Sequence, residues 1–367
     1  MDRTAGAVND FDSRAVSSID DASPDDVDRT DPPGLNLARV AEWFDRAGPG
    51  LAAGPLRATL IAGGRSNLTY ALTDGMKRWV LRRPPLGHVL ATAHDMARES
   101  RVITALADSA VPVPVTYGLC EDAGVIGAPF YVMDHVDGVA YRRADELDAL
   151  GADRTCAIAL RMIDTLIVLH EVDPAAVGLT GFGHPEGFLA RQVRRWGQQL
   201  DASRSREVPG IDELRAALAV DPPDHGYASI VHGDFRLDNL LFDRDDQVAA
   251  VLDWELATIA DPLTDVALFV VYQRLADLAD STVITDVGHA AGYPSGATLL
   301  THYERGSGRD LDDMDFHIGL ACFKLAVILE GIHYRFVHGQ TVGPGFSEIG
   351  QAVPPLVAEG LAALKKR

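Results

Sequence analysis

The residues best suited to chemistry lie in one stretch, Ile230-Val-His-Gly-Asp-Phe-Arg-Leu-Asp-Asn-Leu-Leu-Phe242, followed by the apolar run Val248-Ala-Ala-Val-Leu252 and then Asp253. His232, Gly233, Asp234 and Asn239 give the spacing H-G-D-x4-N. The Asn239 amide oxygen and the Asp253 carboxylate are hard oxygen donors of the kind magnesium takes in octahedral geometry. A carboxylate kept off the metal, here Asp234, can orient and deprotonate a hydroxyl. That combination suits phosphoryl transfer, in which negative charge spreads over the moving group and a divalent cation neutralises it. By chance the H-G-D-x4-N spacing occurs in on the order of one such chain in a thousand at ordinary residue frequencies.

These side chains need elements to bring them together. Leu240-Leu-Phe242 and Val248–Leu252 read as two strands of a hairpin that would return Asp253 to Asn239. Around this β interruption the chain beyond Asp137-Gly138 is largely helical, with apolar residues at helical spacing over 153–170, 263–279, 297–305 and 314–335. Upstream, a helix is expected over about 35–47. Short strands follow at Ala58–Ala62, Leu68–Leu72, Arg78–Arg83, Thr116–Leu119 and Pro129–Met133, with a helix over 94–108. Gly63-Gly64-Arg65-Ser66-Asn67 forms a glycine-rich tip between two of these strands, where backbone amides could approach phosphate oxygens without a Cβ in the way. Residues 1–33, with nine Asp and three Arg, read as an acidic disordered tail.

HGDFRLDN followed by VLDWELATIADPLTDVA resembles the aminoglycoside phosphotransferase and choline-kinase-like superfamily. The elements GGRSNLTY, WVLRRPP, PFYVMDHVDG and YERGSGRDLDDMDFHIGLACFKLAVILEGI resemble, in order, the subgroup related to kinase-like domains of some acyl-CoA dehydrogenases. The resemblance spans about residues 56–335. It implies an α+β, bilobal, protein-kinase-like fold. A small antiparallel-sheet N-lobe over 34–135 would bind nucleotide, and a helical C-lobe over 136–367 would carry the catalytic loop and substrate site. It further implies an ATP- and Mg2+-dependent kinase acting on a hydroxyl of a small molecule, with Asp234 as catalytic base and Asn239 and Asp253 as metal ligands. Gly63, Gly64, Ser66 and Asn67 would cover the phosphates. Arg82 would stand where kinases place a strand lysine, paired with Glu99. Arg83 competes for that role, because neighbouring strand residues face opposite ways; Arg82 is favoured by sharing a face with Val80. Met133, Asp134 and Val136 would meet the adenine, the last two through backbone groups. Asp261 is expected to cap a helix, Asp265 to hold the catalytic loop by hydrogen bonds, and His232 to brace that loop. Glu255 is open between metal ligand and outer-shell group.

The remaining composition narrows the partners. With 53 acidic against 33 basic residues the formal charge is −20, a surface that repels nucleic acid and anionic membranes. No run of about 18 to 20 apolar residues is evident, as a membrane span would need. Cys120, Cys156 and Cys322 are widely spaced and form no CxxC pair, which fits reduced thiols in the cytoplasm. The acceptor is open between an aminoglycoside and a hydroxylated metabolite such as a hydroxyacyl-CoA, with Lys324, His333 and Arg335 available to hold an anion. Two other classes compete: a nucleotide-binding pseudokinase without turnover, and a metal hydrolase using Asp234, Asp253 and Glu255.

Overall fold

The structure is a computed structural model that describes residues 31–61, 67–86, 94–224, 227–278, 284–340 and 346–367. The described chain divides into two compact units. The first comprises the residues up to Arg101 together with Val115–His135, and the second comprises Val102–Pro114 and Val136–Arg367. The segment 102–114 thus belongs with the helical unit and not with the sheet unit expected to include it. One reason is local: the Val251 amide donates to the Pro112 carbonyl at 2.8 Å, tying that segment to the catalytic hairpin.

In the first unit, α1 (Leu37–Ala47) packs on an antiparallel sheet of β1 (Arg57–Leu60), β2 (Leu68–Thr73), β3 (Arg78–Arg83), β4 (Thr116–Cys120) and β5 (Phe130–Asp134), in the order β1-β2-β3-β5-β4. Helix α1 begins where the Asn36 side chain accepts from the Arg39 amide, a standard N-cap. Its Val40, Trp43 and Phe44 are buried against Tyr70, Leu72, Trp79, Leu81, Phe130 and Val132. Edge-to-face pairs lock this layer, Trp43 on Phe130 at 5.0 Å and Phe44 on Trp79 at 5.3 Å. Burying one such aromatic contributes about 2–3 kcal/mol. The two-residue period of β3 then decides the arginines. Trp79, Leu81 and Arg83 face α1, whereas Val80 and Arg82 face the other way with Met133, whose register partner is Val80. Helix α2 (Met96–Leu106) supplies Glu99.

The second unit contains α3 (Ala144–Asp148), α4 (Ala152–Glu171), α5 (Phe188–Ser203) and α6 (Ile211–Val220), then a β-rich interruption. That interruption comprises β6 (Ser229–Val231), β7 (Leu240–Phe242), β8 (Val248–Val251) and β9 (Thr258–Ala260). Strand β7 pairs with β8 and β6 with β9, both antiparallel. Four helices follow: α7 (Leu263–Leu278), α8 (Gly296–Ser307), α9 (Met314–Val337) and α10 (Val353–Leu364). Asp261 caps α7, its carboxylate accepting from the Leu263 amide at 2.9 Å, with Pro262 at the first turn. Helix α9, unlike the sequence expectation, is long and apolar enough to cross a membrane by length and composition, yet 72% of that stretch is buried within the protein. It is the central helix of this unit, packed against α5, α7 and α10, which accounts for its apolarity on all sides.

Candidate active site

The site is built on the loop between β6 and β7. Gly233 has φ +84°, and a Cβ there would lie 2.7 Å from the Leu256 carbonyl, so only glycine permits the tight turn that presents Asp234. Asp265, fully buried on α7, clamps the turn: its two oxygens accept from the amides of His232 at 2.6 Å and Gly233 at 2.7 Å. Burial opposes its charge, but His170, His232 and the Gly233 amide outweigh that and hold its pKa below the ordinary value. His170 in turn is seated by the Tyr303 hydroxyl at 2.9 Å.

His232 braces the same loop from the other side. Its Nδ1 accepts from the Asp234 amide at 3.2 Å, which leaves Nε2–H to donate to the Leu252 carbonyl at 2.9 Å. Both contacts hold the loop in place. Lys324 on α9 donates to the Gly233 carbonyl at 2.8 Å. Thus one of its three N–H groups serves the loop, a role that its sequence neighbourhood does not reveal.

Asp234 is partly buried and densely held. Oδ1 accepts from the Tyr272 hydroxyl at 2.7 Å, and Oδ2 accepts from Asn239 Nδ2 at 3.2 Å and lies 3.5 Å from Arg236 Nε. Desolvation raises its pKa, but Arg236, Tyr272, Lys324 and His232 win and depress it below the usual value. Tyr272 responds in the opposite sense, its phenol pushed well above the ordinary range by burial and by the Asp234 carboxylate. Asp234 is therefore ionised at neutral pH and Tyr272 is a donor.

Asn239 is buried, and its Nδ2 also donates to the Asp234 main-chain carbonyl at 2.8 Å, so Oδ1 is the side-chain atom that could face a cation. Its own carbonyl accepts from the Leu252 amide at 2.8 Å. The hairpin β7–β8 therefore delivers Asp253, the next residue, beside Asn239, and the Asp253 charge reaches Arg236. Asp253 itself adopts φ +65° and ψ +58°, one of two non-glycine left-handed residues among those described. Strain of this kind is tolerated where a side chain must point one way. Among the described residues no three His, Cys, Asp or Glu side chains gather as a closed metal cage. One amide and one carboxylate fit magnesium, which keeps waters and takes its remaining oxygens from substrate phosphates. Glu255 lies in the short 3-10 turn just after Asp253 and is partly buried.

A cavity of about 20 Å³ beside the loop, room for one water, is lined by Arg236, Asp238, Tyr272, Gln273 and Tyr293 over Met162 and Phe269. Arg236 bridges Asp234 and Asp238, at 3.5 Å from each, and stacks 5.0 Å from the centre of the Tyr272 ring. Arg236 and Tyr272 are the neighbours of Asp234 that pattern reading misses.

The first unit carries its own polar cluster. Arg82 Nε lies 3.2 Å from Glu99 Oε1, both largely buried. Arg83 is instead committed to main-chain carbonyls, those of Gly34, Pro84 and Ile126. Asn67 is buried and its Oδ1 meets His94 Nδ1 at 2.8 Å. Desolvation and the nearby Arg82 charge lower the His94 pKa. Asp134 ends β5 and accepts from the Tyr117 hydroxyl at 2.6 Å; Met133 is buried, and Val136 opens the second unit. Gly63, Gly64 and Ser66 lie outside the described residues.

Comparison with known proteins gives a consistent result. The model of the phosphotransferase enzyme family matches residues 57–316. Acyl-CoA dehydrogenase family member 11 of Gallus gallus is 36% identical over 326 residues, covering 87% of this chain and 42% of the relative. Acyl-CoA dehydrogenase family member 10 of Mus musculus is 36% identical over 295 residues, covering 78% and 27%. The chain thus spans less than half the length of these relatives. Among solved structures, a Ralstonia eutropha protein named provisionally as an aminoglycoside phosphotransferase superposes with a TM-score of 0.77 at 32% identity, covering 90% of this chain and 99% of that one. The ternary complex of aminoglycoside phosphotransferase APH(4)-Ia with AMP-PNP and hygromycin B gives 0.55 at 16% identity, covering 89% and 97%, a likeness of fold.

Proposed function

The chain belongs to the phosphotransferase enzyme family, and from that premise we propose that it transfers the γ-phosphate of ATP, with magnesium, to a hydroxyl of a small molecule. The observation that carries this reading is the hydrogen-bonded convergence of Asp234, Asn239 and the strand bearing Asp253 on one loop of the second unit. Asn239 Oδ1 and the Asp253 carboxylate would hold the magnesium ion, which supplies positive charge to the phosphoryl oxygens when bound. Asp234 would accept a hydrogen bond from the acceptor alcohol and take its proton at a carboxylate oxygen. Its low pKa makes it a weak base, so it orients the alcohol first and receives the proton late, after the oxygen has begun to bond to phosphorus. Tyr272 and Arg236 fix the carboxylate against rotation, and His232, Asp265 and Lys324 fix the loop beneath it.

In the first unit, the buried pair of Arg82 and Glu99 would set a fixed cation toward the nucleotide phosphates, with Asn67 nearby and Met133 lining the adenine side. The match to acyl-CoA dehydrogenase family members favours a hydroxylated metabolite, including a hydroxyacyl thioester, over an aminoglycoside as acceptor. The test is thermal melting with magnesium and ATP against magnesium alone. At a nucleotide concentration a hundredfold above Kd, binding should stabilise the protein by about 2.7 kcal/mol. An unchanged melting temperature at millimolar ATP would remove the proposal.

A further inference from the structure

The arginines of α5, α6 and the segment joining them show an imbalance. Arg191 donates to the carbonyls of His184 and Glu186, Arg204 pairs with Asp212, Arg215 with Asp201, and Arg206 with the buried Glu330. Arg194 and Arg195 on α5 are both exposed, and among the described residues neither pairs with an acid, although acidic residues exceed basic ones by twenty in this chain; what sets one apart is the aromatic contact of Arg195. Its guanidinium carbon sits 5.8 Å from the centre of the Trp196 ring. Lys324 Nζ sits 5.9 Å from the same ring. Two cations are thus gathered on one aromatic side chain, and burial together with the Arg195 charge lowers the Lys324 pKa against the pull of Asp234 and Asp265.

Lys324 also reaches the Gly233 carbonyl, one residue before Asp234, so this aromatic and cationic group adjoins the catalytic loop. Two of its N–H groups remain for another acceptor, and Arg195 offers a planar fork suited to a carboxylate or phosphate. The Arg195 charge opposes that of Lys324, and an anion bound beside them would relieve that cost. A polyamine at the same place would add a third positive charge.

We propose that Arg195, Trp196 and Lys324 form a subsite for an anionic group, carboxylate or phosphate, carried by the acceptor alcohol. The inference rests on the phosphotransfer reading for the word acceptor and narrows that acceptor to hydroxylated anions. It provides one anchor on the anionic end while Asp234 addresses the hydroxyl.

Tryptophan fluorescence tests it, because Trp43, Trp79 and Trp254 are buried in the protein and Trp196 is partly exposed. Four polyols of similar size serve as probes: gluconate, glucose 6-phosphate, glucose and glucosamine. Saturable quenching by gluconate or glucose 6-phosphate, lost in Trp196→Phe and at least tenfold weaker in Arg195→Glu, is expected; which of the two binds identifies the anion. Equal binding of glucosamine, anion binding unaffected by Arg195→Glu, or no saturable binding of either anion would overturn the subsite. Melting with magnesium and ATP, run in parallel, separates the two readings. A nucleotide shift without anion discrimination removes only the subsite. Anion binding lost in Arg195→Glu, without a nucleotide shift, keeps the anion site and removes the kinase.

Discussion

Replacing Asp265 by Asn keeps the volume of the side chain and removes its charge, so it isolates the clamp on the catalytic turn. In the native protein two charge-assisted bonds, at 2.6 and 2.7 Å, reach buried amides. Asn can accept from one of those amides as a neutral group, but its NH2 then faces the other, donor against donor. Losing one bond to a charged group costs about 1.5–3 kcal/mol, and weakening the second costs about 1 kcal/mol more. The sum, about 2.5–4 kcal/mol, is a large share of the roughly 5–15 kcal/mol that stabilises a typical domain. Urea unfolding read by circular dichroism measures it at pH 7. The pH dependence adds a second check. Because the folded pKa of Asp265 is depressed, its contribution is present above the unfolded value of about 3.9 and fades as pH falls toward the folded pKa. The gap between wild type and Asp265→Asn should therefore be full at pH 6 and shrink below about pH 4. A loss under 1 kcal/mol at pH 7, or a gap that widens with acid, would refute the clamp.

Two other substitutions probe the site from different sides. Tyr272→Phe removes the donor to Asp234 Oδ1 and lets that carboxylate titrate higher, so the acid limb of the rate–pH profile should move to higher pH with melting temperature little changed; an unmoved limb would count against the contact. Asp253→Gly should relieve a left-handed backbone worth about 1 kcal/mol and raise the melting temperature by a few degrees, while abolishing magnesium-dependent nucleotide binding. A variant that is both less stable and still bound by magnesium-ATP would contradict the strained-ligand account.

The catalytic hairpin was legible because its information is local. H-G-D-x4-N, an apolar strand and Asp253 lie within about two dozen consecutive residues, and period-2 patterning closes them into β7–β8. The same alternation separates Arg82 from Arg83 once β3 has a buried face against α1. Tyr272 was not legible. It lies 38 residues from Asp234 in a helix whose polar and apolar residues follow no clear amphipathic period, so no pattern marks it, and β6 pairing with the three-residue β9 is what brings α7 to the loop. Arg236 hides within the motif because its partners come from tertiary packing. Lys324 was visible as a cation but not its direction, since the Gly233 carbonyl that receives it is a backbone group with no side-chain signature. Helix α9 shows the converse: burial on every side and bilayer immersion leave the same apolar pattern.

The central claim is that Asp234 serves the alcohol while the nucleotide is held by other groups. Its most direct test is Asp234→Asn, followed in two assays: phosphoryl transfer from γ-labelled ATP across a panel of hydroxylated acceptors, and melting with magnesium and ATP. Transfer should fall by at least a thousandfold with the nucleotide-induced melting shift retained. Transfer by the variant at the wild-type rate would contradict the account.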